Sequence, residues 1–361
     1  MPHRQPTRVA FLGSGNIANG YAAGIDRHPE LTLLGVFDLD QSKRDAFASE
    51  HACASYGSLA ELAADAPAIA VNLTPAPYHY AATRDLIAHG LHVFSEKPVA
   101  LDTAQARELV ALASAASVRL ACAPSVWLGR AALAAARALE AGDVGTVRLV
   151  NAEVSQGRIE SWHPAPRSFY QVGPVVDAGI YPLAYLTALL GPVRSVSAVG
   201  TTVLSHRRTI EGESFSPDVA DAWVAVLTFA SGPLLRLSCN FYVGSETVGR
   251  AIDFHGDSGS LRLADWIMPG SPILRAGFGQ PFTVSDPGDS TLPIDWSLGL
   301  ADLAAAIAED RPHRTGAEHA VHVVDILVAI ERSAGRGETI TIHSDFPAPY
   351  GIPQLRSDLL V

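Results

Sequence analysis

The chain has 361 residues, a formal net charge of −11 and a pI of about 5.6. It is 48% apolar and only 17% charged, so it can bury a sizeable core, and its length implies two domains rather than one. The acidic balance, with no Lys/Arg cluster, argues against a nucleic-acid partner.

Three scattered cysteines, Cys53, Cys122 and Cys239, fit reduced thiols rather than a disulfide framework. The N-terminal stretch "MPHRQPTRVAFLG" lacks the apolar h-region of a secretory signal. No stretch is expected to approach the roughly 18 apolar residues of a membrane span. The expectation is a cytoplasmic protein with no membrane or nucleic-acid partner.

In chain order, apolar runs at 9–12, 31–37, 68–73, 92–94 and 118–121 read as strands covered on both faces. Helical patterns lie between them at 16–27, 41–50, 78–89 and 103–116. This β-α-β-α alternation predicts a parallel, doubly wound α/β domain over residues 1–124. A helix near 130–141 follows. Strands then become longer and alternate, at 146–154, 193–203, 220–229, 234–242 and 251–255. Residues 125–361 therefore read as an α+β domain with a large, mostly antiparallel open sheet. Two helices follow, near 298–310 and 316–334, and a proline-rich tail, "HSDFPAPYGIPQL", is expected to be extended.

"VAFLGSGNIA" sets Gly13, Gly15 and Ala18 directly after the first strand, in the G-x-G-x-x-G/A spacing of a Rossmann dinucleotide site. A helix N-terminus there attracts a pyrophosphate, so Gly13, Ser14, Gly15, Asn16 and Ile17 are expected cofactor contacts. Asp38 ends the second strand, where a carboxylate hydrogen-bonds the adenosine ribose and repels a 2′-phosphate. NAD is favoured, with NADP possible because Lys43 and Arg44 follow.

Three further stretches, "NLTPAPYHY" (72–80), "SEKP" (95–98) and "GPVVDAGIYPLAYL" (173–186), appear in order after the fingerprint. With them the whole chain resembles the Gfo/Idh/MocA oxidoreductases. The resemblance implies that Thr74, Pro75 and His79 lie beside the nicotinamide half of the cofactor, with Glu96 and Lys97 nearby. It also implies that the Lys97–Pro98 bond is cis. This chain has Ala76 where the family usually has Asn. It reads Asp177-Ala-Gly179-Ile-Tyr181 where the sugar-acting relatives have a histidine, a form similar to that of the dihydrodiol dehydrogenases.

Hydride transfer to or from a secondary alcohol needs a group to exchange the hydroxyl proton. Lys97 and Tyr181 are the candidates, with Asp177 orienting the lysine or binding a substrate hydroxyl. Ordinary values near ~10.4 for lysine and ~10 for tyrosine must fall for work at neutral pH. The sequence leaves open which of the two is the formal base. Asp177 and Tyr181, four apart, share one helix face.

The loop "QGRIESWHPAPRSFYQVG" (156–173) offers Arg158, Trp162, His163 and Tyr170, besides Arg167, as contacts for a sugar-like ring. His319 and His322, with Glu318 and Asp325 nearby, have a spacing that permits a metal site but no H-E-x-x-H signature, so no metal is expected. The resulting expectation is an NAD(P)-dependent oxidoreductase acting on a secondary alcohol or ketone of a sugar, cyclitol, glycoside or sugar-like ring. Two alternatives stand beside it: a redox-neutral enzyme that retains NAD, and a non-catalytic dinucleotide sensor. An uncovered sheet face in the second domain implies a homodimer or homotetramer.

Overall fold

The computed structural model describes residues 5–352. It divides into two compact units. The first begins with β1 (Thr7–Leu12), α1 (Asn16–Ile25), β2 (Leu31–Phe37), α2 (Gln41–Glu50), β3 (Ala54–Ser55) and α3 (Leu59–Ala64). It continues through β4 (Ile69–Asn72), α4 (His79–Ala88), β5 (His92–Ser95), α5 (Thr103–Ala115) and β6 (Leu120–Cys122). The six strands are parallel, in the order β3-β2-β1-β4-β5-β6. Strand order reverses between β1 and β4, where a doubly wound sheet opens a crevice at its carboxyl edge. Val9, Phe11, Ile69, Val71, Val93 and Phe94 are wholly buried, which is why these runs are apolar on both faces. Asp40, Ser58 and Asp102 cap α2, α3 and α5 by accepting backbone N–H bonds.

The second unit holds α6 (Arg130–Glu140), β7 (Val147–Ser155), α7 (Arg167–Pro174), α8 (Ile180–Leu190), β8 (Val193–Thr201), β9 (Arg207–Arg208) and β10 (Ser214–Phe215). Then come β11 (Ala222–Phe229), β12 (Leu234–Asn240), α9 (Ser245–Val248), β13 (Ile252–Gly256), β14 (Gly259–Leu263), β15 (Ile273–Gly277) and β16 (Thr283–Asp286). Nine strands form one sheet in the order β16-β15-β14-β13-β7-β12-β11-β8-β17, where β17 is Ile340–Thr341. Its pairs are antiparallel except β7 with β12. Alternation sorts its faces: Val150, Ala152, Leu235, Leu237, Ala225 and Leu227 are buried, whereas Leu149, Val224, Val226 and Leu234 are exposed. By length and hydropathy the segment Arg167–Leu190 would suit a membrane span, yet its apolar window is 83% buried inside the protein, as a core helix is.

Two helices follow, α10 (Leu298–Glu309) and α11 (Ala317–Arg336). Here the boundaries differ from those expected. The first unit runs to Leu128 and also includes Asp295–Val324, which the sequence assigns to the second domain. The reason is packing: Leu300, Leu303 and Ala304 of α10 join the cluster of Val9, Phe11, Val71 and Phe94. The Ser297 hydroxyl donates to the Tyr21 carbonyl at 2.9 Å, and a His28 ring nitrogen lies 3.0 Å from Asp295. The expected strands are present with ends shifted by one or a few residues. The tail has neither helix nor strand over residues 343–349, and its last part, from 353, lies outside the described residues.

His79 and His319 are buried in the first unit. Burial pushes both below the ordinary histidine value, and for His319 burial together with the charge of His322 brings it to about 3. The folded state then binds fewer protons than the unfolded chain below the ordinary value of 6.5. Stability is full above that pH and is lost as pH falls toward the folded value. Between pH 7.5 and pH 5.0 His319 alone is expected to cost about 2 kcal/mol, measured by urea unfolding. His319→Gln should flatten that loss; a variant with the wild-type pH dependence would show that the ring is not held neutral.

Candidate active site

The phosphate loop forms because Gly13 adopts φ +105°, and a Cβ there would stand 2.9 Å from the Leu73 carbonyl. Only glycine fits that close approach between the ends of β1 and β4. At Gly15 a side chain would meet no atom within 4 Å. The α1 N-terminus has no side-chain cap and no acidic residue in its first turn, and Gly15 and Asn16 are exposed. Its first N–H groups therefore face open space with a positive helix end, an arrangement that fits a pyrophosphate.

Asp38 faces this loop. One carboxylate oxygen accepts from the Ser14 N–H at 2.8 Å and the Ser14 hydroxyl at 2.9 Å; the other accepts from the Asp40 N–H at 2.9 Å. Partial burial pushes its pKa up, but these hydrogen bonds outweigh burial and hold it below the usual carboxylate value. Asp38 is thus a fixed negative charge beside the loop.

At the ends of β4 and β5 the groups hold one another. Asn72, fully buried, accepts from the Thr74 hydroxyl at 2.7 Å and the Thr74 N–H at 3.2 Å. Its amide donates to the His79 carbonyl and the Thr83 hydroxyl. His79 has its ring nitrogens 2.6 Å from the carbonyls of Pro98 and Thr74. At 2% exposure, with a ring nitrogen facing the carbonyl of each turn, His79 braces the two turns, beside which the nicotinamide half is expected. Glu96 accepts from the Tyr21 hydroxyl at 2.7 Å and from the Lys97 N–H at 3.0 Å. Lys97 is half-buried, its peptide bond to Pro98 is cis, and its charge is felt at His79 and Cys122.

In the second unit, a turn of wide helix, Val175–Gly179, joins α7 to α8. A Cβ on Gly179 would come 3.0 Å from the Cys239 sulfur on β12, so glycine lets this turn seat close to the sheet. Of residues 173–190 only Asp177 and Tyr181 are partly open; all the others are buried. The Tyr181 ring stacks on Trp266 with centroids 5.4 Å apart, and the Trp266 indole N–H donates to the Glu153 carbonyl.

Among the loop residues, Trp162 is 56% exposed and meets His163 and Phe169 edge-on. Arg158 is exposed, with its guanidinium 4.7 Å over the Tyr242 ring. Arg167 pairs with Glu213 at 3.2 Å. Tyr170 is different: it is 1% exposed, and its hydroxyl bonds Glu160 and Arg207. Its burial removes it from the expected substrate contacts. His319 and His322 are buried, and among the described residues no three His, Cys, Asp or Glu side chains group as metal ligands would.

Sequence reasoning passed over Asn72, Tyr21, Trp266 and the partners of Tyr170. Asn72 carried a signal, a polar residue ending an otherwise apolar strand; Trp266, 85 positions beyond Tyr181, carried none.

A family model described as an oxidoreductase family with an NAD-binding Rossmann fold matches residues 7–123, and the GFO/IDH/MocA C-terminal domain matches residues 132–262. The chain is 27% identical over 310 residues to bovine (Bos taurus) trans-1,2-dihydrobenzene-1,2-diol dehydrogenase, covering 84% of this chain and 87% of that one. It is 27% identical over 273 residues to the D-glucoside 3-dehydrogenase of Escherichia coli, covering 72% and 77%. The fold matches that of the WlbA dehydrogenase of Bordetella pertussis, solved with NADH and UDP-GlcNAcA. The TM-score is 0.77 at 20% identity, over 94% of this chain and 100% of that one. With both domains matched in order around the geometry above, the chain belongs to the Gfo/Idh/MocA family of NAD-binding oxidoreductases.

Proposed function

We propose that this oxidoreductase uses NAD to interconvert a secondary alcohol and a ketone on a sugar, cyclitol, glycoside or similar polyhydroxylated ring. The observation that carries this reading is the exposure of Asp177 and Tyr181 alone in a run of eighteen otherwise buried positions, 173–190. A core helix has no packing reason to present a carboxylate and a phenol one turn apart. Relatives named for a ring diol and for a D-glucoside support the substrate class.

Bound NAD supplies the hydride acceptor or donor. Gly13, Ser14, Gly15, Asn16 and Ile17 would hold its pyrophosphate, and Asp38 its adenosine ribose. Thr74, Pro75 and Glu96 would shape the nicotinamide half, with His79 holding the turns in place. Lys97 and Tyr181 exchange the hydroxyl proton, and Asp177 orients the lysine or takes a substrate hydroxyl. Arg158, Trp162 and His163 present a cation and aromatic faces to the ring. The setting is cytoplasmic. The open face of the second unit's sheet, with Leu149, Val199, Val224, Val226 and Leu234 exposed, pairs with a second copy of the chain.

Lys97→Ala and Tyr181→Phe should each lower kcat by about 10²-fold or more on a polyol that the wild type oxidises, read as NADH absorbance. Near-native turnover in both would defeat the assignment. Asp38→Ser should cut the preference for NAD over NADP by about 10- to 100-fold, from the loss of a charged hydrogen bond and of repulsion of a 2′-phosphate; an unchanged kcat/KM ratio would count against Asp38. Light scattering at micromolar concentration should report a dimer or tetramer, and a monomer would overturn the pairing of sheet faces.

A further inference from the structure

One buried cluster in the second unit has no part in the chemistry above. The Arg207 side chain, fully buried on β9, donates through Nη1 to Glu160 at 2.7 Å and to the Tyr170 hydroxyl at 2.8 Å. Through Nη2 it donates to Asp221 at 2.5 Å and to the Phe241 carbonyl at 3.2 Å. The Tyr170 hydroxyl in turn donates to the second Glu160 oxygen. Asp221 also accepts from the Val203 N–H at 2.7 Å, and the Tyr170 carbonyl accepts from the Asp218 N–H at 3.1 Å. Ile159, Phe215 and Phe241 pack with Tyr170 and close the cluster from water.

A buried ion cluster is often no more stabilising than apolar side chains of the same volume, and in some proteins what it adds is one defined geometry. The geometry here is specific. Glu160 lies in the short turn Ile159–Ser161 and Tyr170 lies in α7. Both ends of the segment 160–170 are therefore tied to a single guanidinium that arrives from a distant hairpin. Trp162, His163 and Phe169, with centroids 4.7–6.3 Å apart, lie within the segment so tied. α7 leads, through a kink at Gly173 (φ +77°), into the turn that carries Asp177. Tyr170 is not itself a proton exchanger: burial, then the hydrogen bond to Glu160, drives its hydroxyl far above the ordinary tyrosine value.

We infer that Arg207 is a positioning residue: through Glu160 and Tyr170 it fixes the loop 158–170, and so the aromatic and cationic face this loop offers to the substrate ring. The inference rests on the proposed function for its substrate, but not for its geometry.

Arg207→Ala removes a buried charge from two carboxylates and risks misfolding, so the test uses Tyr170→Phe and Arg207→Lys in the full chain. The probes are methyl β-D-glucopyranoside and trans-1,2-cyclohexanediol with NAD. Tyr170→Phe deletes only the hydroxyl that ties α7 to Glu160 and Arg207, and leaves the direct Arg207–Glu160 pair in place. It should raise KM for the alcohol about tenfold, leave kcat within about twofold and leave the Kd of NAD unchanged. Arg207→Lys, which keeps the charge without the fork, should raise KM at least as far. Backbone amides of residues 158–170 should exchange with deuterium at least tenfold faster in Tyr170→Phe, with those of the first unit unaltered. An unchanged KM, even with lower thermal stability, would reduce the cluster to a core buttress and overturn the inference. If the wild type turns over neither probe, the proposed function is what suffers; the exchange measurement then decides alone, and unaltered protection of 158–170 overturns the positioning role.

Discussion

A parallel sheet must end its strands on polar groups that water cannot reach, and the first unit depends on how that need is met. At the carboxyl ends of β4 and β5 the solution is one buried set: Asn72, Thr74, Thr83 and His79 on one side, Tyr21 and Glu96 on the other. Each member satisfies a neighbour that would otherwise cost about 1–3 kcal/mol if left unpaired. The same bonds fix the turns after both strands. His79 reaches from α4 to the Pro98 carbonyl, and the Tyr21 hydroxyl reaches from α1 to Glu96. The helix whose N-terminus suits a pyrophosphate is thus joined, by one hydrogen bond, to the residue preceding Lys97. Stability and preorganisation are supplied by the same atoms.

The second unit meets a different constraint. Its sheet buries one face and leaves the other to solvent, so the helix run beneath it must be apolar almost throughout. Such a run can carry function only where it breaks the rule. It does so at Asp177 and Tyr181, and the break is possible because Gly179 brings the turn within reach of Cys239 on β12. The Tyr181 ring then has a flat partner in Trp266, which fixes its plane.

This contrast explains what could be read in advance. The alternation of apolar runs with amphipathic segments carried the parallel sheet, and period-2 patterning carried most of the antiparallel one. Glycine spacing carried the phosphate loop, because the φ of +105° that Gly13 adopts is a demand written at the residue itself. Other features were not written locally. The helix Leu298–Glu309 reads the same whichever core accepts it, and only the three-dimensional cluster shows Leu300 and Leu303 among the residues of β1 and β4. Tyr170 looked like a loop aromatic because its partners Glu160 and Arg207 are 47 positions apart in sequence. Two-residue strands such as β3, β9 and β17 are too short to carry a period at all. The aromatic and charged positions of the loop 156–173 were visible as types, but their division into exposed Trp162 and buried Tyr170 was not.

The chain's basic residues sharpen the point. Only Lys43 and Lys97 are lysines; the other cations are arginines. Arg207 is wholly buried among two carboxylates and a phenol, a place that asks for a planar fork with donors in fixed directions and a charge that never leaves. A lysine there would present one mobile point charge and could lose it on burial. The turn after β5 asks for the opposite. The proposed exchange of a hydroxyl proton needs a cation that can become neutral, and an arginine cannot do so near neutral pH. Lys97 stands half-buried in that turn, its backbone N–H bonded to the Glu96 carboxylate. Arg207 sits where a planar fork of fixed donors is needed, and the proposed proton exchange calls for a lysine, not an arginine, in the turn after β5.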